Sequence, residues 1–324
     1  MAMSGSSLRA YLPLLFTTVL AAGSLHADST EAASLLNQGR VDEAATILQK
    51  SLATQPHDAA AHALLCRAYY AQDMANAAVP ECERAASDNP SNSNYQLWLG
   101  RAYGLKASQA NMISAFSIAK KVAAAFERAV ALDPNNVAAM SDLGQFYVNA
   151  PSIVGGGLDK AQALAPRLLA RSPVKGHRLL AQIAQKKNDA ATAEAEFKNA
   201  IAAGKSPEAW IDLAIFYQHH AQTDQTVAAI QSSIDANRTK NAALYDAASI
   251  LIEMHRQPEL AERCLRDYLA SSAKTDDAPA FKARMLLGDL LKQRGNMQAA
   301  QNEYAAALAL ASKYSPALKA TQGA

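Results

Sequence analysis

The stretch Trp98-Leu99-Gly100-Arg101-Ala102-Tyr103 is one copy of a phrase that recurs. It returns as SDLGQFY at Ser141–Tyr147, as WIDLAIFY at Trp210–Tyr217 and as RMLLGDLL at Arg284–Leu291. A second phrase alternates with it: VDEAATILQKSLATQP ends at Pro56, NAAVPECERAASDNP at Pro90 and AAAFERAVALDP at Pro134. Pro56 and Pro90 stand 34 residues apart. Self-similarity at such a period marks a stack of small units, each covering the apolar side of the next.

Each phrase reads as one helix. In the first, a leucine, a tiny residue and a tyrosine three places on share an apolar face at helical spacing. Gly100, Gly144, Ala181, Ala214 and Gly288 hold the tiny place, where a partner backbone can come close. In the second, Ala44, Ala78, Ala193, Ala261 and Ala300 are followed four places later by Leu48, Cys82, Phe197, Leu265 and Tyr304. Asn89 and Asp133 precede prolines; proline drives the residue before it out of helical geometry, so the second helices stop there.

On these residues the chain resembles the tetratricopeptide repeat family from about Glu31 to Ser315. The tiny place or its equivalent falls at Ala32, Cys66, Gly100, Gly144, Ala181, Ala214, Ser249 and Gly288. The resemblance implies an all-α fold, a right-handed α-solenoid of about eight helix hairpins over residues 28–324, with the first helices lining the concave side. The pattern departs from the family at Tyr268 and Arg284, places usually small and bulky-apolar respectively. Two stretches exceed the period. Pro90 to Pro134 spans 44 residues against 34, with the surplus near 104–120. The stripe Met112, Phe116, Ala119, Val122, Phe126, Val130 predicts a second helix lengthened by about two turns. The other surplus, 148–158, contains Gly155, Gly156 and Gly157, and Pro166 beyond it is expected to kink its helix.

The net charge of +2 gives no case for a nucleic-acid binder. Residues 1–27 have Arg9, an apolar run from Ala10 to Ala22 and small residues before Asp28. This is the grammar of a cleaved signal peptide, and it places the mature chain in the periplasm or outside the cell. The run is too short for a stable membrane span.

Cys66 and Cys82 fall on the two helices of one hairpin. In an oxidising compartment they can form a disulfide; otherwise they are two small buried fillers. Cys264 has no partner by this count and is flanked by Arg263 and Arg266. The histidines lack metal-site spacing, and no serine is framed as a nucleophile, so no metal, cofactor or enzymatic activity is expected. A phosphate loop of the nucleotide-binding type needs a strand before it and Lys-Ser or Lys-Thr after it. Here a helix precedes the glycines and Lys160 is followed by Ala161. Two readings stay open for Gly155–Gly157: a longer turn between packed helices, or free backbone N–H groups holding an anion, with Asp159 opposing it.

Residues beside the buried stripe of the first helices should face the groove. Early in the chain these are Arg67, Tyr70, Asn94, Leu97 and Arg101. Farther along come Gln145, Asn149, Arg178, Gln182, Ile211, Ile215 and Ile250. A basic early half and an apolar later half suit a protein or extended peptide with an acidic segment. The carboxylate clamp of co-chaperone relatives is absent, because its places hold Ala63, Arg67, Leu97 and Arg101. The resemblance therefore implies a non-catalytic, partner-binding scaffold of the bacterial cell envelope that assists assembly or stabilisation of a complex. The alternatives are a small-ligand or anion-binding protein using the glycine loop, and a thiol-dependent activity at Cys264.

Overall fold

The computed structural model of the chain describes residues 20–322, with side chains from Asp28 onward. The signal-peptide expectation for residues 1–27 therefore lies outside the described residues, apart from the backbone of residues 20–27. Among the described residues there are seventeen α-helices, one 3₁₀ turn and no strand. The first sixteen pair as α1 (Leu20–Asn37) with α2 (Val41–Thr54), α3 (Ala59–Ala71) with α4 (Ala75–Asp88), and α5 (Ser93–Gln109) with α6 (Met112–Leu132). Then come α7 (Val137–Asn149) with α8 (Leu158–Arg171), α9 (Pro173–Lys186) with α10 (Ala190–Gly204), and α11 (Pro207–His219) with α12 (Thr223–Ala236). The last pairs are α13 (Ala243–Glu253) with α14 (Pro258–Ala270) and α15 (Ala280–Gln293) with α16 (Met297–Leu308), followed by α17 (Ser315–Gln322).

The tiny places work as steric windows. A Cβ at Gly100 would lie 2.4 Å from the Phe126 ring, one at Gly144 2.8 Å from Leu179 and one at Gly288 2.4 Å from Tyr304. Side-chain caps start many helices: Asp58 accepts from the backbone N–H groups of Ala60 and Ala61, and Asn92 from those of Asn94 and Tyr95. The tyrosines join successive hairpins, with Tyr103 OH donating to Glu83 at 2.6 Å and Tyr147 OH to Glu127 at 2.9 Å. Within hairpins, His62 pairs with Glu81, His177 with Glu196 and Arg284 with Glu303, each 19 residues on. Arg284, an outlier in the repeat, thus fills the same tying role as the two histidines.

Both insertions are ordered. Helix α6 has 21 residues where α4 has 14, two turns more. The 148–158 surplus forms the 3₁₀ turn Ser152–Val154, which packs on α6. Pro166 sits inside α8, which continues to Arg171. Cys66 and Cys82 are joined as a disulfide, Cα–Cα 5.3 Å, stapling α3 to α4.

The solenoid curves far enough to close on itself. Its ends meet. Phe281 and Tyr314, with ring centroids 4.9 Å apart, join one core cluster with Leu35, Val41, Leu48 and Leu65 of the first repeats. Ser312 N–H donates to Asp42 Oδ2 at 2.6 Å, and Lys282 Nζ lies 2.8 Å from Asp73 Oδ1. Gly39, at φ +77°, has no room for a Cβ against Ala280. An apolar seam flanked by polar contacts therefore closes eight hairpins into a ring.

Two outcomes follow from this packing. Gly100→Ala is expected to cost about 1–3 kcal/mol by overpacking on Phe126. Gly104→Ala, in the same helix with nothing within 4 Å of the added Cβ, is expected to stabilise by about 0.5–1 kcal/mol; thermal unfolding followed by circular dichroism checks the opposite signs. Truncating the fully buried Phe281 to Ala removes about 3–5 kcal/mol of packing. It is expected to open the seam, seen as a larger radius of gyration in small-angle scattering with helix content retained.

Candidate functional site

Two contacts on the inner face share one register: the residue after the tiny place of one first helix meets the residue two before the tiny place of the next, as Arg67 does Trp98 and Arg101 does Asp142. Arg67 lies 5.3 Å from the Trp98 ring centroid, and Arg101 lies 4.7 Å from the same centroid. Arg101 Nε in turn donates to Asp142 Oδ2 at 2.6 Å. Tyr70 meets Trp98 edge-on, centroids 5.5 Å apart. Farther round, Arg178 Nε is 3.1 Å from Asp212 Oδ1 without the alignment of a hydrogen bond, so that contact is ionic.

Two recesses open along this face. One, of about 840 Å³, is lined by Tyr70, Arg101, Gln145 and Asn149 together with Asp142, Asp277, Leu105, Phe146 and Val154. The other, of about 390 Å³, is lined by Gln145, Asn149, Arg178, Gln182 and Ile215 with Asp212. Gln145 and Asn149 belong to both, so the recesses form one track from repeat two to repeat six. The structure thus brings together eight of the residues expected to face the groove, seven lining the recesses directly and Arg67 standing on Trp98 beside them. Asn94 stands apart and hydrogen-bonds Asn136. Three expectations are corrected: Leu97, Ile211 and Ile250 are buried in the core rather than turned to the groove. Each lies on the side of its helix that packs within the stack, where an apolar side chain gains by leaving water.

The later half of the groove is accordingly more polar than the sequence suggested, and a carboxylate recurs along it beside Arg178 and Lys186. Asp142, Asp212 and Asp246 stand two places before Gly144, Ala214 and Ala248. This repeated acid was legible in SDLG, IDLA and YDAA. Burial pushes the Asp212 carboxyl up against the opposing pull of Arg178 and Lys175. Asp246 has no cation within ion-pair distance among the described residues, and burial, with Asp212 and Asp277 nearby, pushes it up to about 6. Burial and the neighbouring Arg178 hold the Lys175 ammonium below its usual range. Burial alone would lower Arg101, but Asp142 and Asp277 outweigh it and keep the guanidinium raised.

The early, basic half is already filled. Arg67 Nε and Nη2 donate to Asp276 Oδ2 at 3.1 and 2.9 Å, and Tyr70 OH donates to Asp277 Oδ1 at 3.3 Å. Both acids come from the link between α14 and α15. Sequence spacing gave no sign of this contact, because only ring closure brings residues 67 and 276 together.

The glycine loop is corrected as an anion site. Gly155 N–H donates to Ser152 O, Gly156 N–H to Pro151 O and Gly157 N–H to Tyr147 O. All three donors are used inside the turn. Positive φ at Gly155 and Gly157, and Ala150 O crowding Gly156, explain the residue type. Cys264 is buried and unpaired, and burial pushes its thiol up to about 11, away from the thiolate a reactive cysteine needs. Among the described residues no group of three or more His, Cys, Asp or Glu could hold a metal ion, and no helix is long and apolar enough to cross a membrane.

Residues 35–102 match the family model for the tetratricopeptide repeat. No curated protein matches the sequence. Among solved structures, yeast Tom70 is 15% identical with a TM-score of 0.56, over 96% of this chain and 65% of Tom70. The chain thus spans about two thirds of that protein. A thermophilic tetratricopeptide protein of Thermus thermophilus is 17% identical with a TM-score of 0.47, over 70% of this chain and 99% of that one. The human IFIT1 dimer with m7Gppp-AAAA is also 17% identical, with a TM-score of 0.47, over 89% of this chain and 72% of that one. Residues 35–102 are thus a tetratricopeptide-repeat segment, and the chain as a whole has the helix-pair fold that it shares with Tom70 over nearly its full length.

Proposed function

We propose that this chain is a non-catalytic scaffold of the bacterial cell envelope that holds an extended protein segment on its inner face and so assists the assembly or stability of a complex. The observation that carries the reading is the track shared by the two recesses through Gln145 and Asn149. A continuous polar track with aromatic and aliphatic walls suits a chain that contacts several repeats in turn, and solenoids present such extended surfaces. No nucleophile paired with a base stands on it. The envelope assignment is supported by the signal-like residues 1–27 and by the Cys66–Cys82 disulfide, a bond favoured in oxidising compartments.

A photo-crosslinking amino acid at Gln145 tests the reading in cells. The expected outcome is a specific protein adduct from the envelope fraction, absent when the same group stands at Arg128 on exposed helix surface. Equal labelling from both positions, or none at Gln145, counts against it. N-terminal sequencing of the exported protein is expected to begin at Asp28.

Beyond the end of the track, Asp246 sets a pH response. The folded Asp246 carboxyl lies at about 6, against an ordinary value of about 4. The folded state therefore holds a proton that the unfolded chain has already released. Stability contributed by this group falls as pH rises from about 4 to about 6 and is lower above that window. Asp246→Asn cannot ionise. It is expected to be more stable than the parent at about pH 7.5 by about 1–2 kcal/mol, allowing for partial exposure. The gain should vanish near about pH 4; denaturant titrations at the two pH values measure it.

A further inference from the structure

The link between α14 and α15 is longer than the stack requires. It runs over residues 271–279, whereas residues 205 and 206 alone join α10 to α11. Its shape is held from its own side. Tyr268 OH donates to Ala278 O, Lys274 Nζ donates to Leu269 O at 3.1 Å and to Ser271 O, and Ala278 N–H donates to Thr275 Oγ1 at 3.2 Å. Tyr268 is the outlier of repeat seven, so the departure from the repeat is the anchor of this link. The product is a preformed turn that carries Asp276 and Asp277 to Arg67 and Tyr70, more than 200 residues away in sequence.

We propose that residues 271–279 are a resident ligand of the inner face, and that a partner binds by presenting two adjacent carboxylates to Arg67, Tyr70 and Arg101 in place of Asp276 and Asp277. This rests on the reading that the inner face receives a protein segment, and it names what that segment must carry. The receiving groups are two guanidiniums stacked on Trp98 and one phenol. Stacking holds the guanidinium planes; Arg67 directs Nε and Nη2 into the seat, while Arg101, whose Nε is held by Asp142, adds positive charge beside it. The seated pair is exchangeable. Burial raises the Asp276 carboxyl even beside Arg67, so the resident acid bears a desolvation cost that offsets much of its attraction. The apolar seam made by Phe281 and Tyr314 is a separate contact. The link can therefore leave its seat while the ring stays closed.

The test uses the full chain and a fluorescein-labelled peptide copying residues 272–279. Asp276→Asn with Asp277→Asn empties the seat. The double variant is expected to bind the peptide at least about tenfold more tightly than the parent, a difference of about 1.4 kcal/mol. Adding Arg67→Ala is expected to abolish that gain. Hydrogen exchange across 271–279 is expected to quicken in the double variant and in Arg67→Asp, and to slow again when Arg67→Asp is combined with Asp276→Arg. This charge swap controls for misfolding. Equal peptide binding by parent and double variant, no binding by either, or unchanged exchange overturns the proposal. The probe is the chain's own segment, so the result is independent of the crosslinking experiment. A failure there with peptide binding intact removes the scaffold reading and leaves the seat.

Discussion

A helix hairpin cannot cover its own apolar side, and everything else in this molecule depends on how its neighbour does so. The device is a residue without a side chain facing a large one. Gly100 receives Phe126 and Gly288 receives Tyr304 inside their hairpins, while Gly144 receives Leu179 between successive first helices. Close approach fixes the distance between helices, and in a stack of like units that distance sets a nearly constant rotation per repeat. The inner and outer faces are consequences of that rotation.

Rotation carried through eight hairpins brings the two ends into contact, and this solves a problem that solenoids share. Terminal repeats leave an apolar face without a neighbour and normally need a polar cap. Here the two ends cap each other. Phe281 is fully buried although it opens a first helix near the end of the array, because its neighbours are Leu35, Val41 and Leu65 at the beginning. Helix α17 completes the cover with Ala317. Carboxylates on the inner face are held above their ordinary range by burial, at Asp246 without an ion-pair partner and at Asp212 and Asp276 against the pull of a neighbouring arginine.

How far this was legible in the sequence follows from which contacts are local. The hairpins, the tiny places and the long α6 could be read because each rests on residues a few turns apart or one repeat apart. Two departures from the repeat, Tyr268 and Arg284, were visible as departures but not interpretable; one anchors the 271–279 link and the other replaces a histidine opposite Glu303. In repeat seven the sequence points to Ser249 as the tiny place, whereas the fully buried residue is its neighbour Ala248. That slip hid the match of Asp246 with Asp142 and Asp212. Leu97 and Ile211 read as groove residues in the sequence because position around a helix separates groove from core by only one or two places. The seam was beyond reach. It joins residues more than 200 apart, and its existence depends on a sum of small rotations that no local pattern states.

The disulfide bears on the inner face as well as on the hairpin. Cys66 immediately precedes Arg67 and stands one turn before Tyr70 on α3, the helix that supplies one side of the seat. Joining it to Cys82, 16 residues on, removes about 3 kcal/mol of unfolded-chain freedom in the chain-entropy model. It also fixes α3 against α4 where the seam loads it. A guanidinium and a phenol presented from a stapled helix lose less freedom on meeting a carboxylate, and that lowers the ordering cost of binding. The early half of the inner face is thus the preorganised half, stapled beneath and stacked on Trp98. The later half, with unpaired Asp246 and a desolvated Lys175, is poised for charge exchange rather than for shape. A segment lying along both would be positioned by the first and discriminated by the second, since a like charge set beside Asp246 is repelled in a site with little water to screen it.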